Sequence, residues 1–87
     1  MQLGIYRHYK GREYLVIGIA KYEENLEDMV IYQALYDDYT LWARKREVFE
    51  EQVDIPEAGY SGPRFQFVRP FTPEDLVAHP QALWTAR

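Results

Sequence analysis

The side chains that could perform acid–base or nucleophilic chemistry are few in this sequence. The two histidines, His8 and His79, stand near opposite ends of the chain, and the only serine is Ser61. Nucleophilic catalysis by serine needs a histidine within hydrogen-bond reach, and none is near Ser61 in the sequence. The chain also has no cysteine, which excludes thiolate chemistry and thiolate zinc sites. We therefore expect a protein that is not an enzyme.

Neighbouring carboxylates are the other candidates for chemistry. Asp37 and Asp38 form one pair, and an acidic segment runs over residues 23–28. Aspartate is an ordinary turn residue that hydrogen-bonds its own backbone, and runs of charge are usually solvated. The sequence has no motif of a phosphate-binding loop, a dinucleotide-binding fold, an EF-hand or a zinc protease. We predict no metal site and no cofactor.

Aromatic residues are the most informative part of the composition. They make up 16% of the chain and include eight tyrosines. Many such rings form half-buried strand walls, but exposed rings can grip extended peptides or stack on unpaired bases. We predict a ligand-binding surface that consists of Tyr6, His8, Tyr32, Tyr36, Trp42 and Arg44.

Two members of this predicted surface have competing structural interpretations. A tryptophan in so small a domain is more often part of the core, because its ring buries a large area; this applies to Trp42. For Arg44, we expect a structural ion pair with Glu13 or Glu47 in preference to a ligand contact. Exposed pairs of this kind contribute little to stability.

The elements that must position these residues are short β-strands. Composition and alternation predict strands over residues 5–10, 13–22, 29–36, 40–44 and 64–68. Gly11 supplies the positive φ of a hairpin between the first two strands, and Gly18 predicts a bend, a bulge or a close backbone approach. Helical spacing indicates one or two turns within residues 44–53. Thr72-Pro73-Glu74-Asp75 is typical of a helix start, and Pro80 ends that helix.

The third strand can face the core in two ways. If Ile31 and Leu35 point inward, Gln33 goes with them, and its amide must be hydrogen-bonded or cost about 1–3 kcal/mol. Tyr32 and Tyr36 then stand outside together. If the tyrosines point inward instead, Gln33 is exposed. We favour the first arrangement because the second strand offers a matching aliphatic set, which consists of Leu15, Ile17 and Ile19.

These elements predict a mainly β fold. The best fit is a small, strongly bent, five-stranded antiparallel SH3-like barrel with one short helical insert, and an OB-like barrel is the alternative. Closure would remove the exposed strand edges.

We divide the chain into an SH3-like β-barrel domain, residues 1–69, and a C-terminal tail with a short helix, residues 70–87. The apolar residues of the tail are expected to dock on the barrel or on a second copy; they are Leu76, Val77, Leu83 and Trp84.

Four ordered blocks of sequence carry a resemblance to a known family. They are Tyr6-Arg7-His8-Tyr9-Lys10-Gly11, Glu13-Tyr14-x-Val16-Ile17-Gly18-Ile19-Ala20, Tyr32-Gln33-Ala34-Leu35-Tyr36 and Leu41-Trp42-x-Arg44. In these blocks the chain resembles the small bacterial proteins of domain of unknown function 1653, over roughly residues 4–69. The resemblance implies a compact, mostly β, SH3-like domain and brings no activity with it. Lys45-Arg46 stands where we would expect proline and an apolar residue, and the tail from Phe71 lies outside the match.

The charge balance restricts the partners. Ten Lys and Arg stand against fourteen Asp and Glu, which gives a net charge of −4, whereas nucleic-acid-binding proteins are usually basic. The N-terminus has no signal-peptide pattern, and no apolar run approaches the roughly 20 residues that span a bilayer. We expect a cytoplasmic protein without membrane contact, whose oligomeric state the sequence leaves open.

Two binding functions are compatible with these features. The first is a non-enzymatic binding module that presents its aromatic surface to a peptide or partner protein. The alternative is single-stranded RNA binding through a basic patch near the first hairpin. The residues that would form this patch are Arg7, Lys10, Arg12, Arg44, Lys45 and Arg46.

Overall fold

Residues 1–83 fold into two antiparallel β-sheets and two short helices. The computed structural model describes residues 1–83. The strands are β1 (Gly4–His8), β2 (Glu13–Lys21), β3 (Asp28–Ala34), β4 (Leu41–Lys45), β5 (Gln52–Ile55), β6 (Tyr60–Pro63) and β7 (Phe65–Arg69), and the helices are α1 (Arg46–Phe49) and α2 (Pro73–Ala78). The mainly β class predicted from the sequence is confirmed.

The larger sheet is strongly curled. It has five strands in the order β4-β3-β2-β1-β7, and the smaller sheet pairs β5 with β6. In a flat sheet the two edge strands would lie about 19 Å apart, but the Arg44 guanidinium of β4 lies 5.7 Å from the ring centre of Phe65 on β7. The sheet therefore curves around the face that carries these two side chains. Within residues 1–83, β4 and β7 do not pair with each other, so the predicted closure into a barrel is not observed.

Two glycines occupy the positions that the sequence indicated. Gly11 has a φ of 102°, and its N–H donates to the His8 carbonyl at 2.7 Å in the β1–β2 hairpin. The register of β2 against β3 shifts between Val16 and Gly18, which confirms the predicted irregularity as a bulge. A bulge increases the local twist of a strand. It also interrupts the aliphatic set predicted for β2, because Ile17 and Ile19 are left partly exposed.

The segment between α1 and β7 differs from its prediction. Helix α1 is a single turn, which agrees with the one or two turns predicted within residues 44–53, but strand β5, which begins at Gln52, was not predicted. Residues 56–63, which none of the predicted strands covers, contain a 3-10 turn and strand β6. Strand β6 pairs with β5, where Val53 lies opposite Gly62. Strand β6 contains glycine and proline, so its sequence did not predict a strand.

Both faces of the five-stranded sheet are buried. We call one the aromatic face, where the buried cluster consists of Tyr6, Val16, Val30, Tyr32, Phe49 and Phe65. We call the other the aliphatic face, where the buried cluster consists of Ile5, Leu15, Leu35 and Ala82. Tyr32 and Gln33 are therefore buried together, on opposite faces. The expectation that Tyr32 stands outside is wrong, because it assumed that only one face of the sheet is covered.

Gln33 is satisfied by the rest of the chain. Its side-chain N–H donates to the Tyr39 carbonyl oxygen at 3.1 Å, and its amide oxygen accepts from the Leu83 N–H at 2.8 Å. A buried amide without such partners would be destabilising. The hydrogen bonding predicted for a buried Gln33 is confirmed.

Helix α2 begins at the predicted signal. The Thr72 N–H donates to the Asp75 carboxylate at 2.7 Å, within a capping box formed by these two residues. The Arg69 guanidinium donates two further bonds to Asp75, at 2.6 and 2.8 Å. The Arg69 bonds, together with the Thr72 N–H, hold the pKa of Asp75 well below its usual range.

The tail packs on the aliphatic face through residues other than those expected. Ala82 is buried in the cluster there and Phe71 packs against it. Leu76, Val77 and Leu83 are instead exposed, Val77 to 84%. Trp84 lies outside the described residues.

Candidate functional site

A small cavity on the aromatic face collects most of the predicted binding residues. We call it the aromatic cavity; its volume is about 180 Å³. Its lining residues are His8, Tyr14, Tyr32, Tyr36, Trp42, Arg44 and Phe65. Apart from Tyr36, which follows β3, these residues come from all five strands of the larger sheet, so the curl of that sheet is what brings them together. All the predicted contact residues except Tyr6 line the cavity, and the sequence prediction missed Tyr14 and Phe65.

Tyr6 belongs to the core. Its side chain is only 7% exposed, and its ring packs edge-to-face on Phe49 and Phe67, each at 5.4 Å. Its hydroxyl donates to the Gln2 carbonyl at 2.6 Å. The structure thus removes Tyr6 from the candidate surface. The reason is the pairing of β1 with β7, which places Tyr6 opposite Phe67.

Tyr32 and Trp42 form the floor and the rim of the cavity. They lie opposite each other in the β3–β4 register, yet Tyr32 is 4% exposed and Trp42 is 51% exposed. The Tyr32 ring packs edge-to-face on Phe49 and Phe65, at 5.3 and 5.6 Å. Trp42 stands on the edge strand, where no described strand lies beyond it. The expectation that Trp42 is a core residue is wrong for this reason.

Tyr14 and Tyr36 form a hydrogen-bonded pair of hydroxyls, 2.5 Å apart. Burial, followed by the bond to Tyr36, raises the pKa of Tyr14 above its ordinary value, so the Tyr14 hydroxyl stays protonated. One proton lies between the two oxygens, which leaves the other hydroxyl hydrogen available to a ligand. Tyr14 could have been found from the predicted hairpin, because the Gly11 turn places it opposite Tyr6.

His8 is a neutral hydrogen-bond donor in this setting. The Lys10 N–H donates to His8 Nδ1 at 3.1 Å, so a neutral ring carries its proton on Nε2. Burial, followed by the charges of Lys10, Arg64 and Arg44, lowers the pKa of His8. The other histidine is elsewhere, because His79 Nδ1 is bonded to the Tyr39 hydroxyl at 2.8 Å.

Arg44 is the only arginine within residues 1–83 that has no carboxylate partner. The arginines at the other described positions pair with acids, in the combinations Arg7–Glu13, Arg12–Asp37, Arg46–Asp28, Arg64–Glu51 and Arg69–Asp75. The expected ion pair of Arg44 with Glu13 or Glu47 is not formed. Its half-buried guanidinium lies over the Phe65 ring instead.

The predicted basic patch is divided between two places. Lys45 and Arg46 pair with Glu27 and Asp28 around a second groove of about 410 Å³, where acidic and basic residues neutralise each other. At the aromatic cavity, the Arg12 guanidinium lies 4.5 Å from the ring centre of Tyr36. Among residues 1–83, the cavity lining therefore combines aromatic rings with hydrogen-bond donors and one unpaired cation, and it includes no carboxylate. This arrangement suits an anionic group next to an apolar one.

Metal-binding and membrane-spanning features are not found in residues 1–83. No group of three metal-ligating side chains is present in this part of the chain. No helix there has both the length and the apolar character that crossing a lipid bilayer requires.

The fold and the cavity define a small, mainly β protein with an aromatic cavity beside one open edge of its sheet. The chain belongs to the DUF1653 family of proteins of unknown function, whose profile matches residues 4–67. It is similar to the crystal structure of a DUF1653 protein from Bordetella bronchiseptica, with 36% identity and a TM-score of 0.73, over 84% of this chain and 94% of that chain. No curated protein matches. The family resemblance predicted from four sequence blocks is confirmed, and the matched region includes every residue of the aromatic cavity.

Proposed function

We propose that this protein is a non-enzymatic binding module for an extended peptide segment of a partner protein. The peptide adds a strand to the outer edge of β4 and places one side chain in the aromatic cavity. The observation that carries this proposal is the position of the cavity, which is lined by Trp42 and Arg44 of an edge strand.

The outer edge of β4 has backbone groups to offer. The Ala34 N–H donates to the Thr40 carbonyl at 3.0 Å, and alternate residues of an antiparallel strand bond to the same neighbour. The backbone groups of Trp42 and Arg44 therefore face β3, whereas those of Ala43 face outward. Unpaired strand edges of this kind accept extended peptides by strand addition.

The register connects this edge to the cavity. Side chains of an added strand would alternate between the two faces of the sheet. Those beside Trp42 and Arg44 would lie on the aromatic face, within about 5 Å of their cross-strand neighbours. The cavity, at about 180 Å³, is below the roughly 300–1,000 Å³ of small-molecule sites. It therefore fits one side chain of a peptide better than a cofactor.

Side-chain chemistry supports the same interpretation. Trp, Tyr and Arg are the residue types that carry most of the binding energy in protein interfaces. All three line this cavity, and Trp42 is half-exposed at its rim. A tryptophan in this position loses exposed area when a peptide covers it, and this loss favours binding.

The proposal is tested with a displayed library of random peptides, selected on the full chain. Trp42→Ala should abolish the binding of selected peptides with little change in melting temperature, because half of the ring is already exposed. Leu41→Ala is the matched control, since Leu41 is on the same strand but points to the opposite face and is 37% exposed. Ala43→Pro removes one outward N–H without removing a bond to β3 and should also abolish binding.

A folded Trp42→Ala variant that keeps full peptide affinity would contradict the proposal. So would a library from which no peptide is enriched on the wild-type chain. Ala43→Pro is interpreted only if its melting temperature stays close to that of the wild type; Trp42→Ala decides the question otherwise.

Single-stranded RNA is a second candidate, which one observation favours. Lys10, Arg64 and Arg44 all lie near enough to His8 to lower its pKa, and although Arg64 is paired with Glu51, Lys10 and Arg44 leave two cationic groups beside aromatic rings. RNA binding predicts retention on an oligonucleotide at low salt that weakens steeply as salt is added. An unretained protein at low ionic strength would exclude this function.

Two finer expectations accompany the proposal. The curl of the sheet supports an SH3-like arrangement. In this arrangement the edge strands β4 and β7 approach each other but are not joined by backbone hydrogen bonds. The absence of cysteine supports a cytoplasmic location.

A further inference from the structure

We infer that the aromatic cavity is selective for an acidic side chain, Asp or Glu, of the bound peptide, and that Arg44 is the residue that recognises its carboxylate. This inference rests on the proposed function and adds the chemistry of the peptide to it. It begins from Arg44, which lines the cavity and has no carboxylate partner within residues 1–83.

The missing partner is unusual for this chain. Acidic residues outnumber basic ones, fourteen to ten, and each of the other described arginines has found a carboxylate. Arg44 is half-buried, and within residues 1–83 its guanidinium lies against the Phe65 ring rather than beside a carboxylate. Its guanidinium carries five N–H donors in a planar fork that matches a carboxylate. A carboxylate from outside the chain would complete the site.

The rest of the cavity favours the same sign of charge. The Tyr14–Tyr36 pair offers an O–H donor, and the neutral His8 ring offers an N–H donor. Within residues 1–83 no carboxylate lines the cavity, and Lys10 adds positive charge near His8. Donors and positive charges attract an anion and repel a cation.

The register of β4 predicts how the acidic residue is placed. A residue that lies opposite Arg44 in an added strand points to the aromatic face, and the residue two positions away lies opposite Trp42. The acidic side chain should therefore be separated by one residue from an aromatic or aliphatic side chain that packs on the Trp42 ring. The residue between them points to the other face and bonds through its backbone to Ala43.

A peptide carboxylate fits better than a nucleic-acid phosphate. The outward N–H and C=O groups of Ala43 need a backbone partner, which a peptide supplies and a nucleotide chain does not. The net charge of −4 also disfavours a polyanion more than a single carboxylate. RNA binding becomes one of the outcomes of the test.

The test is a comparison of four affinities. Trp84→Phe provides a background in which Trp42 is the sole tryptophan, because the chain has two, so that fluorescence reports on the cavity. A library-selected peptide with Glu and its Glu→Gln version are titrated against this protein and against its Arg44→Gln variant. The Glu→Gln change in the peptide should weaken binding about tenfold when Arg44 is present, and less than about twofold in the Arg44→Gln variant.

Arg7→Gln is the matched control. It removes the same charge, but from the face of β1 that points away from the aromatic cavity. It should leave the tenfold preference for Glu unchanged. Circular dichroism melting of each variant shows that the fold is kept; within residues 1–83 the Arg44 side chain makes a ring contact but no hydrogen bond or ion pair, so its loss should cost little.

The outcomes separate the two proposals. If peptides bind but show no acidic preference, or if Arg44→Gln leaves that preference intact, the inference is overturned and the binding module stands. If no peptide binds, or if the chain retains RNA in place of peptides, both are overturned. A dimer that forms through β4 in the absence of peptide, seen as a doubled mass in light scattering, would also overturn both.

Discussion

The two faces of the five-stranded sheet are buried by different means. On the aromatic face, rings from the sheet and from α1 pack on each other; Phe49 stacks on Phe65 with their centres 4.2 Å apart. On the aliphatic face, the C-terminal tail covers the strands, with Ala82 in the cluster and the Leu83 N–H bonded to Gln33.

This difference explains where the candidate site lies. A segment of the chain that runs across a face can seal it, as the tail does over Leu15 and Leu35. On the aromatic face, the packed rings leave a cavity of about 180 Å³ that Trp42 and Arg44 help to line. The surface that is available to a partner is therefore on the face that residues 1–83 leave partly uncovered.

The largest expected effect is on the aromatic face. Tyr32→Ala should destabilise the protein by about 3–5 kcal/mol, because it removes a buried ring from the centre of the cluster. Urea unfolding measures this free energy. Tyr22→Ala is the control, since that ring is 46% exposed, and it should cost much less. Similar losses for the two variants would show that the aromatic face does not carry the core.

A smaller effect is expected where the tail meets the aliphatic face. Gln33→Met keeps the length of the side chain but removes both hydrogen bonds of the Gln33 amide, to the Tyr39 carbonyl and from the Leu83 N–H, at a cost of about 2–3 kcal/mol. Gln66→Met, on the exposed part of β7, should be nearly neutral in the same urea titration. If Gln33→Met is as stable as the wild type, the polar contact does not hold the tail.

The smallest effect concerns the start of α2. Asp75→Asn removes the carboxylate charge that pairs with Arg69. It should lower the free energy of unfolding by about 1–2 kcal/mol at neutral pH. The folded protein lowers the pKa of Asp75 below its ordinary 3.8, so the carboxylate stabilises the fold above that pH. This contribution is lost as the pH falls below about 4.

The pH dependence provides the control for that prediction. Melting temperatures of the wild type should fall more steeply than those of Asp75→Asn between neutral pH and about pH 3. Asp54→Asn, at an exposed position, should follow the wild-type curve. Parallel curves for wild type and Asp75→Asn would contradict the assigned role.

Features that depend on neighbouring residues could be predicted from the sequence. The Gly11 hairpin, the irregularity at Gly18 and the start of α2 at Thr72 all depend on backbone chemistry within a few residues. Most residues of the candidate cavity could be predicted as well. Side chains alternate along β3 and β4, so residues such as Trp42 and Arg44, or Tyr32 and its alternate neighbours, are expected to share a face.

Features that depend on which strands meet could not be predicted. Tyr6 is buried because β1 pairs with β7, more than fifty positions away along the chain, and Phe65 reaches the cavity through the same pairing. Trp42 is exposed because β4 is an edge strand, a property of the strand order rather than of its residues. The ion pair expected for Arg44 failed because Glu13 binds Arg7 on the other side of the sheet.

The bond between Gln33 and the tail has an evolutionary consequence. Gln33 lies inside the region that the DUF1653 profile matches, whereas its donor at Leu83 lies beyond that region. The two positions can therefore be inherited separately. A relative whose chain stops after β7 would have no donor for that amide oxygen, and selection should then replace the glutamine with an aliphatic residue. The residue type at the position of Gln33 should therefore indicate whether the C-terminal segment of a relative covers its sheet.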